Sequence, residues 1–258
     1  MLALYHFGPV ANSLTPLLCL LEKDIAFEDG FLASQHWEHH LPDYRAVNPQ
    51  GTVPALVHDG RVVTESTVIN EYLEDVFPAV QLRPADPWLR ARMRIWTKYV
   101  DEVFCPALTV LGAQGAVPFA SAIDKHEMQE RLAQMPDPEV RKKWTIVSSE
   151  GFSQEQLADA RAKLANVVAR MEEALGADGE WIVGESYTLA DIKLYSMTPG
   201  VERLLPDVCG ERASPSVYRW LRRMEQRPAV QAMLAREYRR QVGPARRHVA
   251  PVRQATGS

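Results

Sequence analysis

The feature that most constrains this chain is a change of hydrophobic period near residue 77. Before it, short apolar runs alternate with helical spacing; beyond it, nearly every apolar residue falls on a helical stripe. Residues 2–7 and 27–32 read as strands, and between them Leu14, Leu17, Leu18 and Leu21 share one helix face. Residues 36–46, polar and His-rich, form a helix or an ordered loop. Asn48-Pro49-Gln50-Gly51 is a turn, Pro54-Ala55-Leu56-Val57 begins a strand, and Asp59-Gly60 signals a hairpin. Ser66 is placed to cap a helix whose apolar face is Ile69, Tyr72, Leu73 and Val76. The order β-α-β-(α)-β-β-α predicts an α/β domain over residues 1–80.

A linker at 81–87, within the Pro-bearing stretch FPAVQLRPADP, separates this domain from an all-α domain over 88–258. Leu89, Met93, Trp96 and Val100 make one stripe; Leu157, Leu164, Val168, Met171 and Leu175 make another. Thr188-Leu189-Ala190-Asp191 is a capping box in its Asp form, and Ser214-Pro215 starts a helix with Pro at its first position. Residues 117–152, with Met135-Pro136-Asp137-Pro138, break the rhythm and read as an insertion between helices. The tail carries six arginines from Arg236 to Arg253 and reads as a solvated or loosely docked segment.

With 46% hydrophobic and 24% charged residues the chain has the means for a substantial core. A formal net charge of −4 gives no global attraction to nucleic acid or an anionic membrane. Cys19, Cys105 and Cys209 lie far apart without metal or redox spacing, as expected of a reducing compartment. The first residues lack the pattern of a signal peptide, and no apolar run reaches membrane length. These features lead us to expect a cytoplasmic protein without a metal. His39 and His40 form no metal pair, because adjacent side chains diverge and no carboxylate cluster supports them.

The chemistry concentrates in three short stretches. Val53, preceding Pro54, is forced toward extended geometry. A cis Val53-Pro54 bond would turn the Val53 backbone outward to pair with an extended ligand. Glu65-Ser66 opens a helix whose free N–H groups and positive dipole end suit a carboxylate, while Glu65 suits an ammonium. Together they fit a peptide-like ligand with a free amine and carboxylate. In FGPVANSLTP, Ser13 taken alone reads as a helix cap; beside the other two stretches it becomes a candidate for holding the ligand's reactive group.

The arrangement resembles the glutathione transferase superfamily: a thioredoxin-like N-terminal domain with VPAL and ES motifs, then an all-helical domain with the SYTLADI capping box. Within it, FGPVANSLTPL, VNPQGTVPALVHDGRVVTESTVINEYLEDVFP and LRPADPWLRARMRIWTKYVDE, with the long insertion, are similar to the bacterial β-etherases of lignin degradation. The resemblance implies glutathione as co-substrate. Val53 and Pro54 would meet its cysteinyl backbone and Glu65 and Ser66 its γ-glutamyl end. His40 and Gln50 would lie near its glycyl carboxylate, and Ser13 and Asn12 at its sulfur. It also implies a homodimer, with the long helix containing Asp101 near the partner subunit and Asp101 among the glutathione-binding residues. Trp96, Tyr99, Phe104, Phe119 and Trp144 are candidates for an aromatic second pocket. Tyr5 and Cys19 read as core.

A hydroxyl suffices for such chemistry. Lowering a thiol pKa from about 8.5 to about 6.5 requires roughly 2.7 kcal/mol in favour of the anion. One hydrogen bond to a charged group contributes about 1.5–3 kcal/mol, and a helix N-terminus about 0.3–1 kcal/mol more. Ser13 or Asn12 would act as a donor, not a nucleophile. The implied reaction is displacement of a phenolate from the β-carbon of an α-keto β-aryl ether by glutathione thiolate, with inversion. Dehalogenation, isomerisation or conjugation on the same scaffold, and non-catalytic glutathione binding, are the alternatives.

Overall fold

The computed structural model describes residues 1–176 and 179–238. The chain opens with β1 (Leu2–His6), α1 (Ala11–Glu22) and β2 (Glu28–Phe31), a right-sized unit for two parallel strands bridged by a helix. Two 3₁₀ turns, Ser34–His36 and Glu38–His40, lead into the short α2 (Pro42–Arg45). The hairpin β3 (Ala55–His58) and β4 (Arg61–Thr64) follows, then α3 (Ser66–Val76). The sheet order is β2-β1-β3-β4, with β1 parallel to β2 and the other pairs antiparallel. Tyr5 pairs with Ala55, so β3 begins one residue after Pro54 at the edge where β1 runs into the α1 turn.

The stripes bury with one exception, Val76, which ends the α3 stripe at the last turn of the helix and is exposed. Leu14, Leu17 and Leu18 of α1 and Ile69 and Leu73 of α3 are enclosed in the main core. Ser66 is not the cap of α3. The N-cap is Glu65, at φ 66°, and it makes no side-chain capping bond; Ser66 is the first helical residue. The reason is that the Ser66 hydroxyl is committed elsewhere, to a lysine of the helical domain.

The linker is bolted down by a buried ion pair. Lys23 Nζ donates to Glu74 Oε1 at 2.7 Å, and both Glu74 oxygens accept from the Leu82 N–H at 3.1 Å. The Lys23 ammonium also donates to the Val80 carbonyl. Leu82 thereby enters the core, and its carbonyl accepts the Leu189 N–H at 2.9 Å.

Helices α4 (Pro87–Tyr99) and α5 (Cys105–Gln114) are joined by one π-helical stretch, Val100–Phe104. The segment expected as an insertion folds as α6 (Val117–Ser121), α7 (Lys125–Gln134) and α8 (Pro138–Val147). These helices carry a small core of their own around Ala120, Met128, Val147 and Phe152. The long α9 (Gln154–Leu175) packs on α5 and on α12 (Pro215–Glu225). Between them lie α10 (Leu189–Tyr195) and α11 (Thr198–Leu204), and α13 (Pro228–Leu234) returns to α1. Of the six tail arginines only Arg236 is among the described residues; its guanidinium meets Asp29 at 3.4 Å.

Every residue of α10 is buried. Its capping box closes as the sequence requires: Asp191 accepts the Thr188 N–H at 2.9 Å, and Thr188 Oγ1 accepts the Ala190 N–H at 3.2 Å. The same carboxylate also accepts from the Ile182 N–H at 3.1 Å and from Trp220 Nε1 at 3.0 Å. Burial pushes the Asp191 carboxyl above the usual carboxylate range, against the pull of these donors. Asp191→Ala removes a cap and strands buried donors, so a loss of about 3 kcal/mol or more is expected in urea denaturation. Asp159→Ala, which breaks only an exposed i,i+4 pair with Lys163, should cost no more than about 1 kcal/mol.

Candidate active site

Three chain segments meet at the C-terminal edge of β1. The first is the turn into α1. Val10 is the N-cap, in extended backbone and with no side-chain capping bond. Ser13, the third residue of the helix, lies in its first turn and is buried; its Oγ accepts the Phe7 N–H at 3.0 Å. The expectation of a helix-capping serine is therefore corrected, because the oxygen reaches back to the loop instead of to the helix's own N–H groups. This bond uses a lone pair and leaves the hydroxyl proton for another acceptor. The second segment is the Val53-Pro54 peptide, which is cis. The Val53 backbone makes no backbone hydrogen bond among the described residues. The third is the Glu65-Ser66 start of α3, where Glu65 is exposed and Ser66 buried.

The first and third of these segments are tied together by a residue that the sequence pattern did not single out. Lys193 of α10 is fully buried. Its ammonium lies 3.1 Å from Asn12 Oδ1, 2.7 Å from Ser66 Oγ and 2.7 Å from Asp101 Oδ1. The signal was present in LADIKLY: a lysine flanked by Ile192 and Leu194 in a short, largely apolar helix is a charge that demands partners. Asp101, expected near a partner subunit, pairs within its own chain, with Lys193 and with Thr67 Oγ1 at 2.7 Å; 41% of its side chain stays exposed. The Asn12 amide nitrogen points at Cys105 Sγ, 3.5 Å away.

Beyond Phe7 the wall is aromatic. The Phe7 ring meets His39 edge-on at 4.8 Å, His39 stacks on Trp37 at 6.2 Å, and Trp37 meets Trp144 of α8 at 4.7 Å. Burial, with the His40 ring and Lys143 nearby, brings His39 down to about 3. Burial and Arg45 hold His40 below the usual histidine range, so both rings are neutral at pH 7. His39 Nδ1, both His40 ring nitrogens and Trp37 Nε1 are buried without a hydrogen-bond partner. Such a gathering of unpaired nitrogens, donors and acceptors together since each neutral ring carries one N–H, is costly unless something polar comes to meet it. Gly51 allows the close approach: a Cβ there would lie 2.9 Å from His40 Nδ1, at a φ of +65°.

The other aromatic candidates are placed elsewhere. Phe104 is fully enclosed in the core and offers a ligand no surface. Trp96 is buried too, and Arg170 lies 5.1 Å above its ring and 4.0 Å from the Tyr99 ring. That group borders a cleft with Arg92, Ile95, Glu173 and Ala174, which includes none of Asn12, Ser13 or Ser66. Phe119 of α6 is exposed. The aromatic stripes of α4 thus face the bundle, and only Trp144 joins the wall. Gln50 is exposed, with its N–H bonded to Asn48 Oδ1 at 3.2 Å. Tyr5 packs on Tyr44 and Cys19 is sealed in the core, where burial raises its thiol pKa. Among the described residues no group of three or more His, Cys, Asp or Glu side chains is placed to hold a metal, and no helix is long and apolar enough to cross a membrane.

Residues 11–76 match the family model of the glutathione S-transferase N-terminal domain, and residues 135–228 that of the glutathione S-transferase C-terminal domain. Protein LigF of a Sphingobium species is 43% identical over 245 residues, covering 92% of this chain and 95% of LigF. The chain belongs to the glutathione transferase family. The crystal structure of β-etherase LigF from Sphingobium matches this glutathione transferase with a TM-score of 0.87, covering 90% of this chain and 98% of that one. Glutathione S-transferase 3 of Zea mays is 26% identical, over 91% of this chain and 93% of its own. A glutathione transferase homologue from Sulfitobacter, solved with bound glutathione, is 22% identical with a TM-score of 0.65, a likeness of fold alone.

Proposed function

We propose that this glutathione transferase cleaves β-O-4 aryl ethers next to a ketone, transferring glutathione to the β-carbon and releasing a phenol. Supporting the reading is the likeness to β-etherase LigF over nearly the whole chain. The observation that carries it within the site is the aromatic wall of Phe7, His39, Trp37 and Trp144, which starts at the residue bonded to Ser13.

In this reading the cysteinyl backbone of glutathione pairs with Val53 beside the cis Pro54. The γ-glutamyl carboxylate lies over the N-terminus of α3 at Ser66, with its ammonium toward Glu65 and the open edge of Asp101. The unpaired nitrogens of His40, His39 and Trp37 take the glycyl carboxylate, with Gln50 at the rim. The sulfur rests over the first turn of α1. There the Ser13 hydroxyl and the Asn12 amide donate to it, and the N–H groups at the helix start add a favourable field. The thiol proton leaves to solvent. The thiolate lone pair then forms the carbon–sulfur bond from the face opposite the aryl oxygen. The carbon–oxygen bond breaks with its electrons on the phenolate, which is protonated by water. The wall holds the substrate rings so that sulfur, carbon and oxygen lie in line. Trp144 takes the place we assign to the second pocket, with Phe7, Trp37 and His39 replacing Trp96 and Phe104.

We read residues 1–80 as the glutathione-binding domain, 81–87 as the linker and 88–258 as the helical domain. A homodimer is supported by the exposed apolar side chains of Val68 on α3 and Trp88 and Ile95 on α4. A cytoplasmic location accords with three unpaired cysteines and a need for reduced glutathione.

Incubation with glutathione and each enantiomer of a β-O-4 model ketone should release a phenol and an equal amount of glutathione thioether from at least one enantiomer. Release from neither, with turnover of halogenated or unsaturated electrophiles, would move the protein to another glutathione chemistry. The Ser13→Ala, Asn12→Ala double variant should raise the pKa of bound glutathione by about 1–2 units and lower turnover at neutral pH roughly 10–100-fold. Unchanged values would contradict activation by these two donors.

A further inference from the structure

We propose that Lys193 is a positioning residue that fixes both Asn12 and Ser66 as hydrogen-bond donors, one at the sulfur and one at the γ-glutamyl carboxylate of the tripeptide site. The inference rests on the glutathione reading above and adds the device that sets the polarity of that site.

An ammonium has three N–H donors and no acceptor. At Lys193 three acceptors surround it: Asn12 Oδ1 at 3.1 Å, Ser66 Oγ at 2.7 Å and Asp101 Oδ1 at 2.7 Å. The group is saturated and fully buried, so it has no proton to offer a ligand. What it does is dictate what its partners offer. Asn12 is held with its carbonyl oxygen toward the ammonium, since the reverse flip would set an amide donor against a cationic donor. Its Nδ2 therefore faces outward, and in the structure it donates toward a sulfur, Cys105 Sγ at 3.5 Å. Ser66 accepts through its oxygen, so its proton is the part left for a ligand carboxylate.

The two groups that these side chains would meet, the thiolate and the γ-glutamyl carboxylate, are both anionic, and both need donors. One buried cation supplies that polarity to two segments that are far apart in sequence. Asp101, held by Thr67 at 2.7 Å, balances the charge, so the cost of burying the ammonium is met within the network. Without the ammonium, the Asn12 amide is free to flip and the Ser66 hydroxyl free to turn toward Asp101. Each would then present lone pairs to an anion.

The test is the pKa of glutathione in the binary complex, read from ultraviolet absorbance of the thiolate, together with the KM for glutathione. The wild-type protein should hold the thiol below its free value; if it does not, the glutathione reading itself falls, and this proposal with it. Given a lowered wild-type value, Lys193→Met should raise the pKa by about 1 unit and the KM about 10-fold. In an Asn12→Ala background the same substitution should change the pKa by less than about 0.3 unit, because its route to the sulfur has been removed. An unchanged pKa in Lys193→Met, or the full shift in the Asn12→Ala background, would overturn the proposal. The second result would mean that the charge acts on the sulfur directly. If circular dichroism shows that Lys193→Met does not fold, the wild-type Asn12 side-chain amide decides by NMR. Its two proton resonances should be slowly exchanging and move on adding glutathione; averaged, unmoved resonances would overturn the proposal.

Discussion

A helix enclosed on every side has to pair each charge it carries, and α10 carries two. Asp191 and Lys193 stand two residues apart in a turn otherwise made of Leu, Ala, Ile and Tyr. Asp191 faces the helical domain, where it closes the capping box and accepts from Ile182 and Trp220. Lys193 faces the other way and reaches Asn12 and Ser66 of the α/β domain. One short helix therefore ties the two domains together at the candidate site. Leu82 adds a backbone tie at the same place, its carbonyl accepting from Leu189 while the Lys23–Glu74 pair holds the linker.

In the proposed reading, this arrangement lets hydrogen-bond donors activate the thiol in place of a general base. The Ser13 oxygen is occupied by Phe7, and the Asn12 carbonyl by Lys193, so each side chain retains a proton for the ligand. Two donors and a helix N-terminus together supply about the 3 kcal/mol that a two-unit shift requires. In that reading chemistry reduces to alignment, the role proposed for the rings of Phe7, His39, Trp37 and Trp144, which join the loop after β2 to the insertion. The insertion is thus more than surface decoration: α8 contributes Trp144, which also packs against the insertion's own small core.

Much of this was legible in the sequence. Strands, hairpin and helices follow from period and punctuation, and the Thr188–Asp191 box from its spacing. Val53, Glu65 and Ser66 stand out because proline and helix starts leave local marks. What escaped were features set by tertiary contact. Ser13 looks like a cap because nothing local reveals that its hydroxyl turns back to the Phe7 N–H. Trp96 and Phe104 occupy the same helical stripe as Met93 and Val100, and a stripe does not tell core from cleft. Trp37 and His39 owe their stacking to a left-handed backbone at Trp37, φ 58°, in a stretch without any hydrophobic period. Lys193 was readable in principle, as a charge without a polar neighbour, but its partners lie on three other elements.

The most direct test of the account is a crystal structure with glutathione bound. Sulfur should lie within about 3.5 Å of both Asn12 Nδ2 and Ser13 Oγ, with the cysteinyl amide paired to the Val53 backbone. A sulfur seated against Trp96 and Tyr99, or a tripeptide whose γ-glutamyl carboxylate avoids Ser66, would contradict it.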